Sequence, residues 1–166
     1  TSFMFAVKEN NWLGKGIKIQ TSLDLTKETI SGSLAVTNPN YNFTGNSVSS
    51  SLDIASTDMS DSSGYKSSRT GFSLGTEFEQ YENIFLAPSI VIAHEDIKIQ
   101  NDATAELKKM DGTFSNIDFA YGLTVDKRNR TFKPTAGYRA KFVQSLPIIQ
   151  DASSLMNGIN VSVYHA

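Results

Sequence analysis

The chain has no cysteine, which removes a disulfide framework, a thiolate zinc centre and a cysteine nucleophile together. It has two histidines, His94 and His165, so few side chains can exchange protons near neutral pH. Nowhere do about 18 apolar residues run together, which excludes a membrane-spanning helix. Membrane strands stay open, because they need an apolar residue only at every second position. Lys and Arg number 15 against 17 Asp and Glu, a formal net charge of −2, and no basic stripe is offered to nucleic acid. G-x-S-x-G elbows, phosphate-binding loops and dinucleotide fingerprints are missing, which disfavours an enzyme. The chain opens at Thr1-Ser2-Phe3 without a charged and then apolar leader; any export signal is expected to be cleaved or to lie outside these residues. No repeat of about 20–50 residues marks a solenoid or propeller.

What the sequence does have is alternation. From Gly16 to Leu25, Ile17, Ile19, Thr21, Leu23 and Leu25 share one face, and Lys18, Gln20, Ser22 and Asp24 share the other. The pattern returns with Phe3, Phe5 and Val7, with Ile30, Leu34 and Val36, and with Val48, Leu52 and Ile54. It continues in Phe72, Leu74 and Phe78, in Ile84, Leu86, Ile90 and Ile92, and in Ile117, Phe119, Tyr121, Leu123 and Val125. Ala140, Phe142 and Leu146, then Ile159, Val161 and Val163, complete it. The result is an all-β, antiparallel up-and-down meander of about nine strands, with the rhythm of a transmembrane β-barrel. A hydrophobic content of 39% is on the low side of ordinary for a soluble globule, so composition alone does not reveal a membrane protein.

The turns separate into two classes by parity. Residues 11–15, 38–45, 80–83 and 127–137 fall on one side; 26–28, 58–68, 100–112 and 150–157 fall on the other. The Ser/Asp-rich 58–68 segment and the charged 100–112 segment are expected on the outer surface, with one short helical turn between Ile99 and Met110. Trp12, Tyr41, Phe43, Tyr65, Tyr81, Phe114, Tyr121, Phe132 and Tyr138 lie near expected strand ends, where two interfacial aromatic girdles would form.

No constellation of residues calls for chemistry. His94 and His165 stand alone at strand ends; Asp53, Asp58 and Asp61 lack the spacing of a calcium loop; Glu77, Glu79 and Glu82 are divided by a turn. No catalytic residue, metal or cofactor is expected.

Three stretches carry a resemblance: Asn11-Trp12-Leu13-Gly14-Lys15-Gly16; then Asn38-Pro39 ending a Leu34-Ala35-Val36-Thr37 run; then Asp126-Lys127-Arg128-Asn129 leading to Phe132-Lys133-Pro134-Thr135-Ala136-Gly137. In order and spacing they resemble the barrel domain of the Omp85 superfamily, and within it the outer-membrane protein assembly factors. The resemblance covers essentially the whole chain. One departure is Asn40, which stands before Tyr41 where the family usually has an aromatic residue directly after the proline.

The resemblance implies residues 1–166 as a fragment of a single outer-membrane barrel domain, aligned with about strands two to ten of about sixteen. POTRA domains, the remaining strands, the seam and the family's long V-R-G-F/Y loop have no counterpart here. It implies a bacterial outer-membrane location, a non-enzymatic role in folding and inserting β-barrel proteins, and the outer-membrane bilayer, unfolded client proteins and accessory lipoproteins as partners. The motif turns would face the periplasm. Charge cost then assigns the faces. A Lys or Arg at the bilayer midplane costs roughly 2–4 kcal/mol, so Lys8, Lys18, Asp24, Asp53, Arg69, Glu77, Asp118, Asp126, Arg139 and Lys141 belong inside, toward a wet lumen. Ile17, Ile19, Leu23, Leu34, Val36, Leu52, Ile54, Phe72, Leu74, Ile90, Ile92, Phe119, Tyr121, Leu123, Phe142 and Val161 are expected to meet lipid.

Nine strands leave two edges, so an open curved sheet is expected unless Phe3-Met4-Phe5 pairs with Val161-Ser162-Val163. Two other readings stay open: a two-partner secretion or porin-type transport barrel, and a soluble β-sandwich or lipocalin-like binding module with its apolar face turned inward.

Overall fold

A computed structural model describes residues 2–101, 103–149 and 155–165. Alternating segments become strands that pair with their sequence neighbours: β1 (Phe3–Trp12), β2 (Ile17–Leu25), β3 (Thr29–Asn38), β4 (Ser47–Met59), β5 (Tyr65–Tyr81), β6 (Ile84–Ile99), β7 (Gly112–Asp126), β8 (Ala136–Ile149) and β9 (Met156–His165). They form one nine-stranded antiparallel sheet in the order β1 to β9. Among the described residues no ladder joins β1 to β9, and the sheet is open.

Register decides which residues share a face, because residues directly opposite one another in an antiparallel pair point the same way. One row runs Ile19, Val36, Ser50, Leu74, Ile90, Phe119, Leu146 across seven strands, β2 to β8. Its neighbour on the opposite face runs Lys18, Thr37, Ser49, Gly75, Ser89, Ala120, Ser145. A hollow of about 380 Å³ on that second face takes its lining from every strand between β3 and β8, so the sheet curls toward it. The polar face is therefore the inner, concave one, and the apolar face the outer.

The sheet is a single layer. Among the described residues no apolar side chain is buried, while Leu34, Leu52, Ile54, Phe72, Leu74, Ile90 and Ile92 are all exposed on the outer face. A soluble sandwich or lipocalin packs its apolar face against a second layer or into a closed interior, and this sheet does neither. Its apolar belt also crosses the register obliquely, from Leu25 and Ile30 on β2 and β3 to Phe142, Ile159 and Val161 on β8 and β9. Tilted strands crossing a level belt give that slant.

The strands run longer than the turn reading allows. The expected 58–68 loop shrinks to residues 60–64, holding the short helix α1 (Ser60–Ser63), because Met59 to Thr57 pair with Tyr65 to Ser67 in an unbroken ladder. Serines and charges there mark strands in water rather than a turn. Likewise β5 reaches Tyr81, so the 80–83 turn is only residues 82–83. The 100–112 connection holds the one-turn helix α2 (Ala105–Lys108), whose first turn is capped where the Thr104 hydroxyl accepts from the Leu107 N–H at 3.4 Å. The expected 150–157 turn lies mostly outside the described residues, and Met156 already belongs to β9.

Candidate functional site

Three motif turns lie at the same end of the sheet, and each is held by its own side chains. In the first, the Asn11 carboxamide oxygen accepts the Gly16 N–H at 2.7 Å, and the Asn11 carbonyl accepts the Gly14 N–H at 3.0 Å. Leu13, Gly14 and Gly16 all have positive φ (53°, 70° and 70°), a region that glycine enters without strain. Trp12 pairs with Ile17 at the end of the ladder. Glu9 also serves this turn, its carboxylate accepting the Asn11 N–H at 2.7 Å; alternation alone gave no hint of that role. In the second turn, the Asn38 side chain accepts the Asn40 N–H across Pro39 at 3.1 Å, and Asn40 in turn accepts the Gly45 N–H at 2.8 Å. Asn40, the departure from the family pattern, is thus what closes this turn.

The third turn is the most strongly tied. Arg128 grips Asp126 with two parallel N–H donors, Nε at 2.7 Å and Nη2 at 2.6 Å, a charge-assisted bidentate pair. Arg139 stands 3.7 Å from the same carboxylate. These groups sit at the rim, past the apolar belt. There the Arg128 guanidinium, before any other cause, holds the Asp126 carboxyl below its usual range. Asn129 spans the turn with its side chain: Oδ1 accepts the Thr135 and Ala136 N–H groups at 3.1 and 3.2 Å, and Nδ2 donates to the Thr135 hydroxyl at 2.9 Å. Gly137 has φ +96°, and a Cβ there would run into the Lys127 carbonyl; no other residue fits. Phe132 is 78% exposed, with the Lys133 ammonium 5.6 Å from its ring centroid. Pro134 lies between Lys133 and Thr135 in this turn.

The residues expected to meet lipid all fall on the outer face: Ile17, Ile19 and Leu23 on β2, Leu34 and Val36 on β3, Leu52 and Ile54 on β4, Phe72 and Leu74 on β5. Ile90 and Ile92 on β6, Phe119, Tyr121 and Leu123 on β7, Phe142 on β8 and Val161 on β9 join them. Lys8, Lys18, Asp24, Asp53, Arg69, Glu77, Asp118, Asp126, Arg139 and Lys141 fall on the inner face.

The aromatic residues divide differently from the expectation. Trp12, Tyr81 and Tyr138 take outer-face positions at the motif end, opposite Ile17, Ile84 and Val163. Tyr65 and Phe114 take inner-face positions at the other end, opposite Ile99 and Glu95. Tyr121 sits mid-strand opposite Pro88 and gives its hydroxyl hydrogen to Gln144 at 2.7 Å. Among the residues expected to form two girdles, those described at strand ends on the outer face lie at the motif end; strand ends read from sequence do not tell which face an aromatic ring takes.

That misplacement exposes what alternation missed. In β4 to β7, beyond the apolar belt and away from the motif turns, the polarity of the two faces is exchanged. The outer face there carries Ser56, Asp58, Lys66, Ser68, His94, Asp96, Lys98, Thr113 and Ser115, and the inner face carries Met59, Tyr65, Ile97, Ile99 and Phe114 beside Ser67 and Glu95. Leu107 and Met110 of the 100–111 connection lie over Tyr65, Ile97 and Ile99 and enclose a pocket of about 350 Å³. That connection is tied to the α1 turn, the Gln100 N–H donating to the Gly64 carbonyl at 2.8 Å. On the outer face, Lys66 meets Asp58 at 2.7 Å and the Thr113 hydroxyl donates to Asp96 at 3.0 Å. Outside the belt, the Lys66 ammonium and then the Ser60 hydroxyl pull the Asp58 carboxyl down to about 2. A sequence signal existed: Ile90 and Ile92 have even numbers, Ile97 and Ile99 odd ones, within one strand whose register does not shift.

His94 Nδ1 lies 2.9 Å from the Ser115 hydroxyl on this polar outer surface, and His165 closes β9 opposite Ala136. Among the described residues no group of three or more His, Asp or Glu side chains could hold a metal ion.

The Omp85 superfamily domain model matches residues 11–165. The chain belongs to the Omp85 superfamily. No curated protein matches it at a comparable level. Among solved structures it is similar to the crystal structure of BamA from Haemophilus ducreyi lacking POTRA domains 1–3, with a TM-score of 0.69 and 20% identity. The match covers 98% of this chain and 34% of that one, so the nine Omp85 strands described here span about a third of the relative's length. Relatives in this superfamily are outer-membrane β-barrels, and the meander reproduces a segment of such a barrel.

Proposed function

We propose that these nine strands are one segment of a larger outer-membrane barrel, and that the whole protein promotes the folding and membrane insertion of other β-barrel proteins. One observation carries the reading: a level apolar belt fills the outer face, while lysines, arginines and carboxylates occupy the inner face at the same depth. Each Lys or Arg turned to the bilayer midplane would cost roughly 2–4 kcal/mol, so this partition fits lipid outside and water inside. The outer-face residues named above are the lipid contacts. The Asn11, Asn38 and Asp126 turns face the periplasm, and the 60–64 and 100–111 connections face the exterior. β1 and β9 pair with further strands of the same barrel, which removes both edges. Unfolded outer-membrane proteins are the clients and accessory lipoproteins the partners; the work is non-covalent and needs no cofactor.

The charged inner face equally suits a conducting or secreting pore, and the test separates the two. Full-length protein is reconstituted into lipid vesicles, and the folding of a urea-unfolded client barrel is followed by its heat-modified gel mobility. Faster client folding than in empty vesicles supports assembly. Ion conductance without any acceleration would transfer the barrel to the transport reading. Recovery of the protein folded in plain buffer, without detergent or lipid, would overturn both.

A further inference from the structure

The β5–β6 ladder has a gap within the apolar belt. Gly75 pairs with Ser89 and Phe78 with Leu86, on one continuous register, yet Thr76 and Glu77 form no ladder pair with Pro88 and Ala87 between them. Pro88 has no N–H to give to β5, whereas on its other side it stays in register opposite Tyr121 of β7. Here the sheet is hollowed from both faces. The inner hollow and an outer notch of about 340 Å³ share four residues, Gly75, Thr76, Pro88 and Ser89. A Cβ on Gly75 would lie 2.9 Å from the Ser89 Cβ, so the glycine lets β5 and β6 approach closely at the edge of the gap. Around the outer notch stand Val48, Leu74, Ile90 and Phe119, all members of the belt.

We propose that this thin spot is a seat for a lipid acyl chain, held in the outer notch between β5 and β6. The inference rests on the assignment of the outer face to lipid. An apolar recess opening into hydrocarbon has one abundant occupant of the right chemistry, a chain that can lie along the gap and restore the contacts a flat ladder would make. On that assignment the notch opens into hydrocarbon rather than water, and a second strand is excluded because β5 and β6 already pair above and below the gap.

The full-length protein is placed in nanodiscs of palmitoyl-oleoyl phosphatidylglycerol, released in the gas phase, and weighed by native mass spectrometry. The wild type is expected to retain a lipid. Thr76→Phe, which fills the notch, is expected to lose it, and Val48→Phe serves the same purpose should the first variant fail to fold. Leu34→Phe, on the flat part of the belt, is expected to keep it. A wild type that enters nanodiscs but keeps no lipid, or notch-filling variants that keep as much as wild type, would overturn the seat alone. Failure of the wild type to enter nanodiscs would instead overturn the assignment of the outer face.

Discussion

Within β6, Ile90 and Ile92 point to the outer face, and Ile97 and Ile99, a few residues on, point to the inner face. No bulge separates them, so the backbone is the same in both halves and only the surroundings differ. Across β4 to β7 the lower half has an apolar outside and a charged inside; the upper half has a charged outside, with Asp58, Lys66 and Asp96, and an inside where Tyr65, Ile97 and Phe114 gather beside Glu95. The difference teaches that the phase of alternation reports the solvent on each side of the strand rather than the strand itself. On the outer-membrane reading proposed above, the phase inversion between Ile92 and Ile97 marks the level at which the strands leave the membrane. Above that level the inner face is covered by the Leu107 and Met110 side chains of the overlying connection.

Substitutions that exchange the two halves test this, and the largest effect belongs to the belt. Leu52→Lys places a charge on the outer face within the apolar belt and, on the proposed membrane reading, is expected to cost roughly 2–4 kcal/mol of folding free energy in lipid. Ser49→Lys, on the same strand but facing the inner hollow near Glu77, is expected to stay within about 0.5 kcal/mol. Urea titration of folding into vesicles reads both, and equal losses would erase the distinction between the faces.

A smaller effect is expected in the upper half. Ile97→Lys there should destabilise by about 1–3 kcal/mol, through lost packing under Leu107, while Lys98→Leu on the outer face should stay within about 0.5 kcal/mol. The order is the reverse of the belt, where the outer position is the sensitive one. If Lys98→Leu proved the more harmful, the exchange of faces would be wrong.

The sequence was most legible where one rule governs a whole strand. Alternation from Ile17 to Leu25 or from Ile117 to Val125 assigned every side chain to the face where the register puts it, because a period of two survives any neighbour. Motif turns were legible for a related reason: Gly137 and Asn129 meet demands of the local backbone. Two features were hidden. Serine, lysine and aspartate between Asp58 and Ser68 have turn composition, yet they extend β4 and β5, since a strand in water has no need of apolar residues on its outer face. Pro88 sat inside an apolar run, and only the pairing partners reveal that its missing donor falls against β5 rather than β7.

The smallest expected effect concerns acid. Asp58 is held at about 2 by Lys66 and Ser60, against about 3.9 for an unperturbed aspartate. A lowered carboxyl stabilises the folded state above its unfolded value, and the contribution fades as pH falls through the interval down to about 2. Because the pair is exposed, its stability effect is slight. The midpoint itself is measurable: carbon-detected NMR should place the Asp58 carboxyl near 2 in wild type and return it toward 3.9 in Lys66→Ala.

The central claim is that the outer face changes solvent partway up β4 to β7. The absence of cysteine from these residues permits a direct test with single cysteines at Leu52, Ile92, Asp96 and Lys98 in the full-length protein, with any cysteine elsewhere in it replaced, reconstituted in vesicles and exposed to a water-soluble maleimide. The account predicts that Leu52→Cys and Ile92→Cys resist labelling while Asp96→Cys and Lys98→Cys react readily. Equal labelling of all four in folded, membrane-inserted protein would contradict it.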